Sequence, residues 1–294
     1  MDPIFPKFDK EGTHTLITPQ KAHELIRNAK NEAVEKQEKR KEYPRFSLDL
    51  ATCTATMDDK PVDMTHTMEQ VKNDLVCLGE YFAGFDTFYG NVEEAKREYF
   101  KMLNFLFLAP FMSRFRSIAF KTDFSYEYFP YFAILNGKKS AGKSELIDTA
   151  HIIMFGRPLG RNKPDIFTKG RIQRYLEHAF GVPIHINDIG KERFDSHSGE
   201  VIKCDEELLR DGVKEHPTFV MTTNEIPVLK PELAKRVYFS SVNITQDNTT
   251  AASKKKRMCA NRKRITTAFY HEFLARIVPK LNEMADKMEH YITP

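Results

Sequence analysis

The sequence predicts an α/β protein: a core with a mainly parallel sheet, preceded by a mostly helical N-terminal unit and followed by C-terminal helices. Three observations predict it. The apolar run "YFPYFAILNG" passes through a lysine- and glycine-rich loop into a helical pattern, "KSELIDTAHIIMFG", which ends at Gly156. Three more short apolar segments, at 182–190, 217–227 and 234–242, alternate with helical stretches, as the strands of a parallel sheet do. Outside this region, the stretches with a clear period have it at helical rather than strand spacing.

Taken in order, residues 1–18 read as an irregular arm. Thr18 and Pro19 then open a Lys-, Glu- and Ala-rich helical stretch that Pro44 closes. Residues 46–62 mix β-branched and turn residues with no clear period. Val71, Leu75, Leu78 and Phe82 mark the apolar face of a second helix. A third helix begins near Asn91, acidic in its first turn and strongly apolar by its end. The apolar run at 102–112 is expected to pack against the α/β core after it. After the strands, "RITTAFYHEFLARIVPKLNEMADKMEHY" is helical, with an interruption expected at Pro279. The implied division is 1–122 helical, 123–250 α/β core, and 251–294 basic segment with C-terminal helices.

Composition narrows the class. With 41% hydrophobic and 29% charged residues in 294, the chain has an ordinary globular balance and enough length for a full core. The best membrane candidate, "MLNFLFLAPFM", is too short and carries Asn104 and Pro110. The N-terminus lacks a charged-then-apolar export signal. Four scattered cysteines with no CxxC pair argue for a reducing, cytoplasmic setting and against structural zinc.

The loop between the first strand and its helix carries the clearest chemistry. Gly137, Gly142, Lys143 and Ser144 satisfy G-x-x-x-x-G-K-[ST], with a strand before and a helix after. Glycines let backbone N–H groups turn inward around phosphate oxygens, and the helix adds its positive end. The nucleotide-binding set is therefore Gly137, Lys138, Lys139, Ser140, Ala141, Gly142, Lys143, Ser144 and Glu145. Lys143 is expected to neutralise the terminal phosphates and Ser144 to offer its hydroxyl to Mg²⁺, which makes ATP and Mg²⁺ the expected ligands.

Asp188, after "PIHIN", stands where a neighbouring strand would supply the magnesium-shell acid. Ile189 follows it rather than the usual water-polarising Glu. The alternative register makes Asn187 the magnesium-side residue and Asp188 the water-side one, with Glu192 and Asp195 as further base candidates. Thr223 and Asn224 end the next strand, and an Asn there can both donate to and accept from groups beside a γ-phosphate. Lys235 and Arg236 precede the last strand, where a guanidinium could accelerate hydrolysis by roughly 10³–10⁵.

Together, "GKKSAGKS", "PIHIND", "FVMTTNEIP" and "ELAKRVYF" come in the order and spacing of a compact AAA+ ATPase. Over about residues 128–245 the chain resembles the superfamily-three and MCM-like helicases of phages, plasmids and other mobile elements. The resemblance implies catalytic roles for Lys143, Asp188, Asn224 as sensor 1 and Arg236 as a finger acting on a neighbouring subunit. It also implies a DNA-gripping hairpin between Asp188 and Asn224, with His197 near its tip and Lys203 on the following arm. The basic stretch 157–175 is a second candidate for the DNA channel. The run at 253–264 holds seven basic residues and no acidic one, so Lys254, Lys255, Lys256 and Arg257 join the nucleic-acid candidates. Arg262 and Arg264, at its end, are sensor 2 candidates.

Three function classes are compatible with these features. The first is an ATP-driven homo-oligomeric motor on single-stranded or forked DNA, a hexameric replicative helicase in the resembled families. The second is a regulatory or defence ATPase that uses the same core as a switch. The third is a small-molecule kinase with "GRNKPDIFTKGR" as a lid, against which the Thr-Thr-Asn strand end argues.

Overall fold

The elements follow from local chemistry. The computed structural model describes residues 21, 23, 26–27, 43–122, 125–210, 215–246 and 260–290. The chain divides into two units, Met1–Tyr43 and Pro44–Pro294. In the first, residues 21, 23, 26 and 27 are helical and exposed. The described helices and strands from 44 to 122 fall in the same compact unit as the parallel sheet.

The second unit opens on an antiparallel meander of β1 (Phe46–Asp49), β2 (Thr54–Met57) and β3 (Lys60–Val62). This small sheet lies where the sequence shows no period, because strands of three or four residues are too short to establish one. Helix α1 (Met68–Ala83) starts at a capping box in which Thr67 and Gln70 satisfy each other's backbone N–H groups. Its buried face is Val71, Asp74, Cys77, Leu78 and Tyr81, while Leu75 is 47% exposed. The face is rotated from the expected one because buried Asp74 accepts from the Thr266 and Phe269 N–H groups and the Thr266 hydroxyl. It thereby caps the start of the C-terminal helix.

β4 (Tyr89–Gly90) leads to α2 (Val92–Phe107), which Asn91 caps. The apolar 102–112 run breaks at Leu108, and Pro110 lies in the first turn of α3 (Ala109–Lys121). The core strand β5 (Phe132–Gly137) feeds α4 (Lys143–Phe155), followed by α5 (Lys169–His178) and β6 (Pro183–Ile186). Then come α6 (Lys191–Val201), α7 (Asp205–Arg210), β7 (Thr218–Thr223), α8 (Pro231–Ala234), β8 (Val237–Val242), β9 (Ile244–Thr245) and α9 (Ala268–His290). Helix α9 runs through Pro279 without the expected interruption.

The main sheet is parallel throughout, in the order β6-β7-β5-β8. Every residue of β5, β6 and β7 is buried, as unbroken apolar strands covered on both faces must be. All their C-terminal ends lie at one edge. A two-stranded antiparallel pair, β4 with β9, lies beyond the end of β8.

One expected element is replaced. The stretch expected to form a hairpin over 194–203 is instead α6 followed by a turn. Phe194, Ser198 and Val201 are buried at spacings of four and three, a helical face, and Phe194 stacks on Phe167. Packing on that face overrides the turn propensity of Ser196 and Gly199. His197 therefore sits half-buried in a helix and Lys203 in the turn after it, not on a projecting tip and arm. Among the described residues, no helix is long and apolar enough to cross a membrane.

Candidate functional site

The C-terminal ends of β5, β6 and β7 converge on one cleft of about 270 Å³. Its walls include the loop residues Lys139 to Glu145, together with Asn187, Asp188 and Asn224. Thus the loop, the acid turn and the strand-end Asn, distant in sequence, are brought together.

The loop is shaped by crowding as well as by backbone freedom. Gly142 has φ +96, and a Cβ there would lie 2.9 Å from the Phe85 ring. At Gly137 a Cβ would come within 2.6 Å of Val242 Cγ2 and 2.7 Å of its carbonyl oxygen. From below, the buried Tyr99 hydroxyl of α2 donates to the Ala141 carbonyl at 2.7 Å. Phe85 packs against Tyr99, Tyr81 and Phe88. The elements before the sheet therefore brace the loop.

Lys143 Nζ donates to the Gly137 and Lys138 carbonyls at 2.7 and 2.9 Å and to Asn224 Oδ1 at 3.0 Å. Burial lowers the pKa of its ammonium, and the opposing charge of Asp188 restores part of it. Asn224 in turn donates through Nδ2 to Asp188 Oδ1 at 2.8 Å. One amide therefore accepts from the cation and donates to the carboxylate, so its two ends are oriented without ambiguity. Lys143, Asn224 and Asp188 form a continuous polar chain along the cleft.

Asp188 occupies a left-handed backbone conformation, φ 57. Two bonds from Thr222 hold it there: the Asp188 N–H donates to Thr222 Oγ1 at 3.0 Å and the Ile189 N–H to the Thr222 carbonyl at 2.9 Å. The turn aims Asp188 at Asn224 and leaves Asn187 beside the loop, where Ser144 Oγ donates to Asn187 Oδ1 at 2.6 Å. Asp188 and Asn187 both line the cleft with Ser144, Asn187 in direct contact with its hydroxyl and Asp188 with one oxygen bonded to Asn224. A hydroxyl, an amide oxygen and a carboxylate around a phosphate cradle are the hard oxygen donors that Mg²⁺ takes alongside phosphates. Among the described residues, no group of three or more His, Cys, Asp and Glu side chains could hold a metal ion by itself.

Arg236 lies apart from this cleft. It precedes β8, whose Val237 pairs with Phe132 and whose Val242 pairs with Gly137, so the loop lies five residues further along. At about 3.3 Å per residue the separation is roughly 15–20 Å. There Arg236 bonds Glu206 at 2.5 Å and Glu127 at 3.1 Å and lies over the Tyr126 ring, while Lys235 pairs with Glu127 at 2.7 Å. Of the sensor 2 candidates, Arg262 reaches Glu145 at 2.6 Å, whereas Arg264 pairs with Glu80 at 3.3 Å. Lys254, Lys255, Lys256 and Arg257 lie outside the described residues.

Sequence reasoning missed Arg161, Phe88 and Gln246, which also line the cleft. The basic stretch 157–175 was the only signal for Arg161, and nothing pointed to the other two. That stretch is not a free lid. Ile166 and Phe167 are buried, and Asn162 joins the edge of β6 by accepting from Asn187 N–H and donating its own N–H to the His185 carbonyl, both at 2.9 Å.

No curated protein sequence matches the chain. Among solved structures, the SCCmec type IV Cch active helicase aligns over 76% of this chain at 13% identity, with a TM-score of 0.41. The chain spans 40% of that protein's length. The JCV helicase aligns over 76% of this chain and 73% of its own, at 13% identity and a TM-score of 0.27. A family model, the Aq_aa27 P-loop NTPase domain, matches residues 45–226, which takes in the meander, the phosphate loop, the acid turn and Asn224. The chain belongs to the Aq_aa27 P-loop NTPase family.

Proposed function

We propose that the protein is an ATP-hydrolysing homo-oligomeric motor acting on DNA, a replicative helicase of a phage, plasmid or other mobile element, and that it assembles as a hexamer. The observation that carries the reading is the separation of Arg236 from the chain's own phosphate loop, at opposite ends of the β5–β8 pair. A guanidinium at that distance serves hydrolysis only in a neighbour's cleft. Glu127 and Glu206 would hold it in position until a neighbouring phosphate competes for it.

Within the cleft, roles follow from the hydrogen bonds. Lys143 would exchange its carbonyl acceptors for phosphate oxygens. Ser144 and Asn187 would hold Mg²⁺, which when bound neutralises charge on the phosphates. Asp188 and Asn224 together would hold and orient the attacking water, with Asp188 taking its proton. This assignment supplies the base that the sequence pattern omits at Ile189.

One observation favours a second reading, a regulatory or defence ATPase working as a switch. The expected DNA-gripping hairpin is α6, whose buried face is committed to the core. The two readings separate by experiment. Phosphate release from ATP is measured against protein concentration, with and without single-stranded DNA. The motor reading expects release to rise with both, to collapse with Arg236→Ala, and to recover when that variant is mixed with Lys143→Ala. Indifference to both DNA and concentration refutes it. Concentration dependence without DNA stimulation or unwinding of a forked duplex selects the switch.

A further inference from the structure

Beside the phosphate loop, two guanidiniums and two carboxylates form a charge-balanced cluster, of which Glu145 and Arg262 were candidates for nucleotide contact and sensor 2 while Arg161 and Asp148 have no role assigned above. Glu145 and Asp148 lie three residues apart on α4, on one face, directly after Ser144. Arg161 spans both: its Nη2 lies 3.1 Å from Glu145 Oε1 and 2.6 Å from Asp148 Oδ2, and its Nε 3.1 Å from Asp148 Oδ2. Arg262 approaches the same pair from the other side, 2.6 Å from Glu145 and 4.0 Å from Asp148.

The two arginines are not equivalent. Arg161 lines the cleft with Ser144, Asn187 and Asp188, and its side chain is 39% exposed. Arg262 does not line the cleft and is 24% exposed. The backbone under Arg161 is fixed, because the next residue, Asn162, is tied to the edge of β6, and its side-chain oxygen accepts from Tyr175 at 2.8 Å. The guanidinium is therefore delivered to one place by an ordered segment while its tip stays accessible. If Arg161 left the acids, Glu145 would keep Arg262 at 2.6 Å, and Asp148 would still lie 4.0 Å from it. Asp148 is largely buried and its Oδ1 has no hydrogen-bond partner, so on release it would keep only the attraction of Arg262, and the phosphate must repay the bonds that Arg161 gives up.

A guanidinium that forks onto carboxylates makes the same bidentate bonds to phosphate, and phosphate offers more charge. We propose that Arg161 is a ligand of the nucleotide's phosphate chain within the same subunit, parked on Glu145 and Asp148, and that Arg262 holds those carboxylates when Arg161 moves across. The inference rests on the reading of the cleft as a nucleoside triphosphate site. It adds a cation to Lys143 and makes binding sensitive to the number of phosphates.

The test is equilibrium binding of ATP, ADP and AMP by calorimetry, with the full chain and with Arg161→Ala. A charge-assisted bond of about 1.5–3 kcal/mol corresponds to a loss of roughly 10–150-fold for ATP. The loss should shrink for ADP and fall to within about twofold for AMP, which offers one phosphate. Arg161→Lys keeps the charge but not the fork, so it should recover only part of the ATP affinity, and it carries the test if Arg161→Ala does not fold. Equal affinities in variant and wild type, or an equal loss for all three nucleotides with a lowered unfolding midpoint, overturns the inference. A wild-type chain that binds none of them overturns the triphosphate reading and this inference with it.

Discussion

The left-handed turn at Asp188 predicts an unusual order of stabilities. At an ordinary surface position, replacement by Gly is worse than replacement by Ala by about 0.4–1 kcal/mol, because Gly leaves the unfolded chain more freedom. At φ 57 the order reverses. Ala at a left-handed position pays about 1–2 kcal/mol of steric cost that Gly avoids, so Gly should win by about 0.5–1 kcal/mol. Both variants equally lose the exposed Asn224–Asp188 hydrogen bond, so that loss cancels from the comparison. Urea denaturation reads the difference as a shift in midpoint at constant slope. Both variants should also lose turnover by about 10²–10⁴, the share of a general base, while remaining folded. Strain kept at a residue whose replacement abolishes function is the signature of a site held for chemistry. A variant order of Ala above Gly would refute the reasoning, because Asp188 would then not be held in that conformation by Thr222.

Three further predictions address the supports of the site. Arg116 and Asp205 form a buried ion pair, 1% and 0% exposed, so Arg116→Met should cost about 3–5 kcal/mol, and adding Asp205→Leu should restore most of it; a double variant no better than the single refutes the pairing. Tyr99→Phe removes the bond that braces the Ala141 carbonyl, which should cost about 1–2 kcal/mol in chemical denaturation and weaken ATP binding severalfold. Burial lowers the pKa of His151 from 6.5 to about 4, so between those pH values the unfolded chain takes up a proton that the folded chain excludes. Stability is then complete above pH 6.5 and falls as the pH drops toward about 4, by about 3 kcal/mol for this residue, and a His151→Gln variant should show a correspondingly flatter profile. His185, lowered by burial to about 3, acts in the same direction.

How much of the fold and the site was legible in the sequence depended on whether the signal was local. The loop could be read because its geometry needs glycine at fixed spacing, and the strands because a buried parallel sheet leaves unbroken apolar runs. Asn187 and Asp188 are both visible in the sequence, but the direction each side chain takes is not. It depends on a backbone turn held by Thr222, which lies 34 residues away from Asp188. The period of helix α1 is legible, but its buried face is not, because Asp74 caps a helix whose Thr266 lies 192 residues later. The 194–203 stretch shows turn residues, and its helix becomes evident only from the buried face of Phe194, Ser198 and Val201, with Phe194 stacked on Phe167. The basic stretch 157–175 marks Arg161 only as one charge among several, since its place comes from Glu145 and Asp148 across gaps of 16 and 13 residues.

On the proposed reading, the loop, Asn224 and Asp188 form one hydrolytic site for nucleoside triphosphate. Its most direct test is phosphate release from ATP with Mg²⁺, compared between wild type, Lys143→Ala and Asp188→Asn, alongside ATP binding by each. Wild type should bind and hydrolyse ATP, Lys143→Ala should lose binding, and Asp188→Asn should bind ATP without turning it over. Hydrolysis by Asp188→Asn at the wild-type rate, or by Lys143→Ala, would contradict it.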